Sequence, residues 1–189
     1  MRRIAILLTM LVATASAMAG QRGGVTMPDR VTVDGKSLTL NGMGLREATW
    51  LKVDVYVAGL YVEKPSSNAG KIIASDETKQ IVLKFKRSVG HDDIVKAWNE
   101  GFAKNSTVPV SRLQPDIAKL NAWMPGFSEG DTLTFTFTPR EGVAVAINGQ
   151  RKGVIGNDDF SRSLLSIWLG RKPPTASLKT GMLGKHSAG

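Results

Sequence analysis

The 189-residue sequence contains no cysteine, and it contains only two histidines and two tyrosines. Without cysteine the exported chain inferred below has no disulfide, so packing alone must hold its fold. The same absence excludes a cysteine nucleophile, a cysteine-ligated zinc ion and an iron–sulfur cluster. His91 precedes Asp92 and Asp93, but consecutive residues on a helix point in different directions, so we expect no metal site there.

Motifs for nucleotide chemistry are also missing. There is no Gly-x-x-x-x-Gly-Lys loop, and Gly42-x-Gly44 lacks the third glycine of a dinucleotide fingerprint. We assign no serine as a hydrolase nucleophile. The sequence therefore predicts neither a nucleotide nor any other cofactor.

No hydrophobic run is long enough for a comfortable membrane span, which needs about 20 apolar residues. The first run opens the chain: Arg2 and Arg3 precede the apolar stretch 4–12, and Ala17-Met18-Ala19 fits the small-x-small pattern of a signal-peptidase site. We predict that residues 1–19 are a removed signal peptide and that the mature protein is exported to a bacterial periplasm.

The formal net charge is +9, and removal of Arg2 and Arg3 leaves 9 − 2 = +7. In an exported protein this charge favours anionic partners such as fatty-acid carboxylates or lipid headgroups, and we expect no nucleic acid. Peripheral contact with an anionic membrane surface is one consequence. The alternative is that the scattered lysines and arginines only keep the protein soluble. Composition leaves the oligomeric state undefined.

The length of the mature chain is that of one domain. Residues 20–30, which contain Gly23-Gly24, are expected to be a flexible lead-in. Residues 31–184 form the predicted domain, and residues 185–189 form a polar tail.

Turn signals and alternating apolar residues predict the strands. Asp34-Gly35 and Asn148-Gly149 are typical of two-residue hairpin turns. The glycines in the run 41–44 predict a bulge or a close approach of two backbones. Residues 53–62 are apolar at alternate positions on both faces, which is typical of a strand that is covered on both sides.

Apolar stripes predict three longer helices, and a short helix is expected near residues 177–182. The stripe residues are Ile94, Val95, Trp98 and Phe102; Leu113, Ile117, Leu120 and Met124; and Phe160, Leu164, Ile167 and Trp168. Groups of strands that alternate with groups of helices predict an α+β fold, with an antiparallel sheet covered by helices. A cleft between the two layers is where an apolar ligand would fit.

The run from Asn41 to Arg46, Lys52 and the run from Val55 to Val62 resemble the chalcone isomerase-like family. The resemblance rests on a Gly-x-Gly-x-Arg motif paired with Tyr-x-x-Gly-x-Tyr, and it extends over about residues 25–184. It implies an open-faced β-sandwich, in which a large antiparallel sheet is backed by a layer of helices with a cleft between them.

The resemblance also implies two functional branches. One contains enzymes that close a flavanone ring, and the other contains proteins that hold an acyl chain with an arginine and a tyrosine at its carboxylate. Arg46 matches the arginine of both branches. Tyr56 matches a position that is threonine in the enzymes and tyrosine in the fatty-acid binders. An arginine offers a rigid fork of donors to a carboxylate or an oxyanion.

The first helix departs from the enzyme pattern. The enzymes resemble one another in carrying a tyrosine and then an asparagine on this helix. Here the two tyrosines, Tyr56 and Tyr61, share one strand segment, and Glu100 rather than Asn99 occupies the asparagine position in an alignment without gaps. A catalytic tyrosine on the helix is therefore excluded.

We therefore hypothesise a periplasmic, non-catalytic protein that binds a fatty acid or a similar amphipathic anion. The predicted ligand contacts are Arg46, Tyr56, Leu60, Trp98 and Phe102. The alternative is an intramolecular lyase. In that case Arg46 would stabilise an oxyanion and Tyr56 would act as hydrogen-bond donor or general acid, so the sequence leaves the question of catalysis open. A third hypothesis is an interaction protein with a filled cleft that docks through the threonine-rich strand 132–138.

Overall fold

The computed structural model describes residues 19–48 and 53–185. Residues 1–18 of the predicted signal peptide, Lys52, and residues 186–189 of the predicted tail lie outside the described residues. Within the described ranges, no helix is both long enough and apolar enough to cross a membrane.

Groups of strands alternate with groups of helices along the described chain, as predicted, and the helix at Ala69–Ala74 is an element that was not predicted. The elements are β1 Ala19–Arg22, β2 Val25–Pro28, β3 Arg30–Val33, β4 Lys36–Ala48, β5 Val53–Val62, α1 Ala69–Ala74, β6 Lys79–Phe85, α2 His91–Asn105, a 3-10 turn Val110–Leu113, α3 Gln114–Trp123, β7 Thr132–Thr138, β8 Gly142–Ile147, β9 Gln150–Ile155, α4 Asp158–Leu169 and α5 Ala176–Met182.

Strands β3 to β9 form a seven-stranded sheet in which chain order is also spatial order, and each neighbouring pair is antiparallel. Both predicted hairpin turns are confirmed: Asp34 and Gly35 have φ of 47° and 76°, and Asn148 and Gly149 have φ of 50° and 77°. Positive φ at both central residues matches the right-handed twist of the flanking strands. The predicted α+β architecture is therefore confirmed, with helices packed on one face of a large antiparallel sheet.

Strand β5 is buried on both faces, as its sequence predicted. On the inner face, Ala58 and Leu60 belong to the main core, which the sheet forms with the helices. On the outer face, Val57 packs in a smaller cluster with Met27 and Met43. Because apolar clusters cover both faces of β5, the strand has almost no polar residues.

The predicted flexible lead-in is wrong for residues 20–28. This segment forms the β1–β2 hairpin, which turns at Gly23-Gly24 and covers the outer face of the sheet. Val25 and Met27 point inward and are buried, and the carbonyl of Pro28 accepts a 2.9 Å hydrogen bond from the Tyr61 hydroxyl. The two glycines provide a turn with positive φ rather than flexibility.

Helix α5 packs directly on β4 through glycines, so the predicted close approach of two backbones is confirmed. A Cβ at Gly44 would collide with the carbonyl oxygen of Leu178, and one at Gly42 would collide with that of Gly181. The predicted bulge lies beside this contact, where the β4–β5 register shifts between Leu40 and Gly42. The glycines therefore allow a contact that no other residue type permits.

We expect Gly44→Ala to destabilise the protein by about 1–3 kcal/mol, because the added methyl must push α5 away from β4. Urea denaturation followed by circular dichroism measures the change. Gly126→Ala is the matched control, because the nearest atom to its added Cβ would lie 3.5 Å away, in ordinary contact. Equal stability of the two variants would contradict the proposed packing.

Candidate functional site

A cleft of about 430 Å³ lies between the sheet and helices α2 and α4. This volume is within the range of small-molecule sites, about 300–1,000 Å³. Its apolar wall includes Val55 of β5, Ile94 of α2 and Ile167 of α4, and the turn after α4 adds Pro173 and Pro174. The predicted arrangement of a sheet and a helix layer therefore leaves an open cleft between the two layers.

Arg46 and Tyr56 lie side by side in this cleft because they are partners across β4 and β5. Directly opposed residues on antiparallel strands project from the same face, with Cβ atoms about 4.5–5.5 Å apart. The register shifts again between Arg46 and Glu47, and such irregularities re-aim side chains. Arg46 is half-buried, and its Nη1 donates a hydrogen bond to the carbonyl oxygen of Glu47.

The Tyr56 hydroxyl lies at a buried position in the cleft wall. The side chain is 8% exposed, and its Oη accepts a 3.2 Å hydrogen bond from Nε1 of Trp168. Burial raises the pKa of Tyr56 to about 12, although the Trp168 hydrogen bond and the Arg46 charge both act to lower it. Tyr56 is therefore a neutral phenol at physiological pH, with a proton to donate.

The basic side chains of the cleft outnumber the acidic ones. Arg46, Lys104 and Lys172 line it together with Asp93 and Glu100. Glu100 pairs with Lys104 at 2.8 Å, and this hydrogen bond lowers the pKa of Glu100. In the described part of the chain, neither Arg46 nor Lys172 is in an ion pair with a carboxylate. The cleft therefore offers uncompensated positive charge to an anion.

Three of the five predicted contact residues meet in the cleft, namely Arg46, Tyr56 and Trp98. Leu60 and Phe102 do not line it, which corrects that part of the prediction: both are 0% exposed in the closed core. Leu60 shares a strand face with Tyr56, and Phe102 shares a helix face with Trp98. A shared face does not imply a shared cavity, because other side chains can cover one residue and not the other.

The cleft contains residues that the sequence analysis did not assign to a site. Lys172, Pro173 and Pro174 form one wall. The signal available in the sequence is the Lys-Pro-Pro turn at residues 172–174, just after the helix end at Gly170.

The family model described as chalcone isomerase-like matches residues 19–184. The chain belongs to the chalcone isomerase-like family. Its structure also resembles the crystal structure of the fatty-acid binding protein AtFAP1 of Arabidopsis thaliana, with a TM-score of 0.69, 18% sequence identity, and coverage of 88% of this chain and 96% of that chain. At this identity the likeness shows the fold. Comparison with curated protein sequences finds no significant match.

This chalcone isomerase-like chain has no tyrosine on α2, as the sequence shows. Its second tyrosine, Tyr61, contacts the hairpin on the outer face of the sheet and not the cleft. Asn99 on α2 is exposed and accepts a 2.9 Å hydrogen bond from the side chain of Asn121. The tyrosine–asparagine pair that the resemblance associates with the enzymes is therefore not assembled on this helix.

One motif was overlooked in the sequence analysis: residues 126–130 read Gly-x-Ser-x-Gly. Ser128 lies in a helix-to-strand loop, whereas a nucleophile elbow joins a strand to a helix. His91, the histidine within the described ranges, donates from Nδ1 to the carbonyl oxygen of Met124 at 2.8 Å rather than contacting Ser128. In the same ranges no group of three or more His, Cys, Asp or Glu could hold a metal ion.

Both tyrosines should ionise at a pH about two units higher in the native protein than in the unfolded protein. The reason is that burial raises the pKa of Tyr56 and of Tyr61 from 10.0 to about 12. The unfolded state loses these protons first, so their stabilising contribution is complete below pH 10 and falls between pH 10 and pH 12. Absorbance at 295 nm, with and without urea, measures the two titrations.

The variant Tyr56→Phe separates the two groups. It should lose less stability than the wild type between pH 10 and pH 12, by up to about 3 kcal/mol for a shift of this size. The remaining native titration then belongs to Tyr61. A native titration near pH 10 that disappears in Tyr56→Phe would contradict the burial of Tyr56.

Proposed function

We propose that this chalcone isomerase-like protein binds a fatty acid or a similar amphipathic anion in the cleft and does not catalyse a reaction. The observation that carries the proposal is the half-buried Arg46, which has no carboxylate partner among the described residues, beside the neutral hydroxyl of Tyr56 in an open cavity of about 430 Å³. We further propose that it does so in a bacterial periplasm, on the basis of the signal-peptide pattern in residues 1–19.

The head group is recognised by Arg46 and Tyr56 together. The guanidinium has five N–H donors and gives one hydrogen bond to the Glu47 carbonyl, so a fork remains for a carboxylate. Tyr56 accepts from Trp168, which leaves its own proton to donate. Such charge-assisted bonds are about twice as strong as neutral ones.

The acyl chain lies along the apolar wall of the cleft formed by Val55, Ile94, Ile167, Pro173 and Pro174. Each methylene removed from water contributes about 0.8 kcal/mol. The core beyond this wall is filled, so the cleft itself, and not the core, accommodates the chain. The name of the structural neighbour, a fatty-acid binding protein, supports the same ligand class.

Native mass spectrometry of the purified mature protein, followed by denaturing extraction, should reveal a stoichiometric fatty acid. Arg46→Ala should weaken binding about 10- to 100-fold, because a hydrogen bond to a charged group contributes about 1.5–3 kcal/mol. Arg151→Ala is the matched control, since it removes the same charge from an exposed site on β9 outside the cleft. Its affinity should match the wild type.

Two results would overturn the proposal. Delipidated protein that stays free of ligand after incubation with fatty acids would exclude this ligand class. Equal losses of affinity in Arg46→Ala and Arg151→Ala would show that only overall charge matters, and not the cleft.

Affinity should also depend on chain length, because the tail is bound by burial. From hexanoate upward, each methylene should tighten binding about fourfold, from about 0.8 kcal/mol per methylene. The gain should stop once the chain outgrows the cleft. Isothermal titration calorimetry from hexanoate to octadecanoate measures the series. Affinity that is independent of length would mean that the tail stays in water.

An intramolecular lyase is the second candidate, because Arg46 and Tyr56 could also stabilise an oxyanion. The observation against it is the raised pKa of Tyr56, about 12, which makes the phenol a weak acid at neutral pH. Chalcone turnover that is abolished by Arg46→Ala would establish this activity. The third hypothesis, a docking protein with a filled cleft, conflicts with the open cavity.

A further inference from the structure

Trp98 carries a hydrogen-bond donor that the described protein does not use. The side chain is 3% exposed, and its Nε1 is buried without a hydrogen-bond partner in the described residues. Buried polar groups are nearly always paired, so each exception calls for an explanation. An indole N–H can only donate, and it therefore needs an acceptor.

Trp98 lies between two aromatic side chains of the core and the cleft. Phe135 and Trp168 pack edge-to-face against it, with ring centroids at 5.9 Å and 5.6 Å. Trp98 also lines the cleft that contains Arg46 and Tyr56. An aromatic ring is a weak acceptor, so these neighbours do not replace a full hydrogen bond.

Among the described residues that line the cleft, the buried side chains of Tyr56 and Trp98 and the half-buried side chain of Arg46 are hydrogen-bond donors. The Tyr56 oxygen is occupied by the indole of Trp168, so Tyr56 faces the cleft as a donor, as does the fork of Arg46. The carboxylates that line the cleft, Asp93 and Glu100, are exposed, and Glu100 is already paired with Lys104.

We propose that Trp98 Nε1–H is the third donor of the head-group site and binds an oxygen of the ligand. The inference rests on the proposed function and makes it more specific. Arg46, Tyr56 and Trp98 together supply more donors than an alcohol oxygen accepts, whereas a carboxylate has two oxygens and about four lone-pair sites. The site therefore selects an anionic head group with at least two oxygens over a fatty alcohol.

The test is a proton–nitrogen NMR spectrum of the full mature protein, labelled at its four tryptophan indoles, with decanoate as the probe. The Trp98 signal is assigned by its loss in Trp98→Phe, or by elimination with Trp50→Phe, Trp123→Phe and Trp168→Phe if that variant misfolds. Hydrogen bonding moves an N–H proton downfield, so the Trp98 signal should shift downfield on saturation. The Trp123 signal, from outside the cleft, should stay in place.

Affinity provides the second readout. Trp98→Phe keeps an aromatic ring but removes the N–H. It should bind decanoate about tenfold more weakly, because binding to the wild type relieves the cost of an unpaired buried donor and binding to the variant does not. Trp123→Phe is the matched control and should bind as the wild type does. Discrimination between decanoate and decanol should also be smaller in Trp98→Phe than in the wild type.

The outcomes separate this inference from the proposed function. If decanoate binds but the Trp98 signal stays in place and Trp98→Phe binds equally well, the inference is wrong and the proposed function stands. An upfield shift that disappears in Phe135→Leu would mean that the ring of Phe135 holds the proton, which also overturns the inference. If no fatty acid binds the wild type, both fail.

Discussion

The pairing register between β4 and β5 is the constraint on which the rest of the site depends. It opposes Arg46 to Tyr56 and directs both into the cleft. Because side chains alternate between the faces of a sheet, a slip of one residue would turn Arg46 toward the opposite face. The register is held by the bulge after Leu40 and by α5, which packs against Gly42 and Gly44. A glycine contact two residues along β4 from Arg46 therefore helps to position the arginine.

Desolvation determines the chemistry of the cleft. Its effect on Tyr56 outweighs both the Arg46 charge and the Trp168 hydrogen bond, and the phenol stays protonated. Arg46 remains a cation in any protein environment. The cleft thus combines a permanent charge with neutral donors, a combination suited to an anion that keeps its charge. This arrangement is the physical basis of the proposed binding function.

The closed core limits what the cleft can accept. Phe102 packs on Phe160 with ring centroids 5.5 Å apart, and Leu60 is fully buried. Interiors pack as densely as organic crystals, so a ligand tail cannot enter them without displacing side chains. The apolar stripe of α2 therefore has two environments: Trp98 lines the cleft, and Phe102, one turn later, belongs to the closed core.

The amino-acid sequence determined the seven strands of the large sheet, helices α2 to α5 and the fold class, because hydrophobic period and turn chemistry act locally. Asp34-Gly35, Asn148-Gly149 and the two-sided strand β5 were all predictable on that basis. The resemblance of the surrounding motifs to the chalcone isomerase-like family identified Arg46 and Tyr56 as candidate site residues. Only the tertiary structure decided that residues 20–28 form a covering hairpin and that Leu60 and Phe102 are closed off from the cleft. The same holds for the Trp98 donor, which has no partner within the part of the chain that the structure describes. These features depend on which distant surfaces meet, and local pattern carries no information about such contacts.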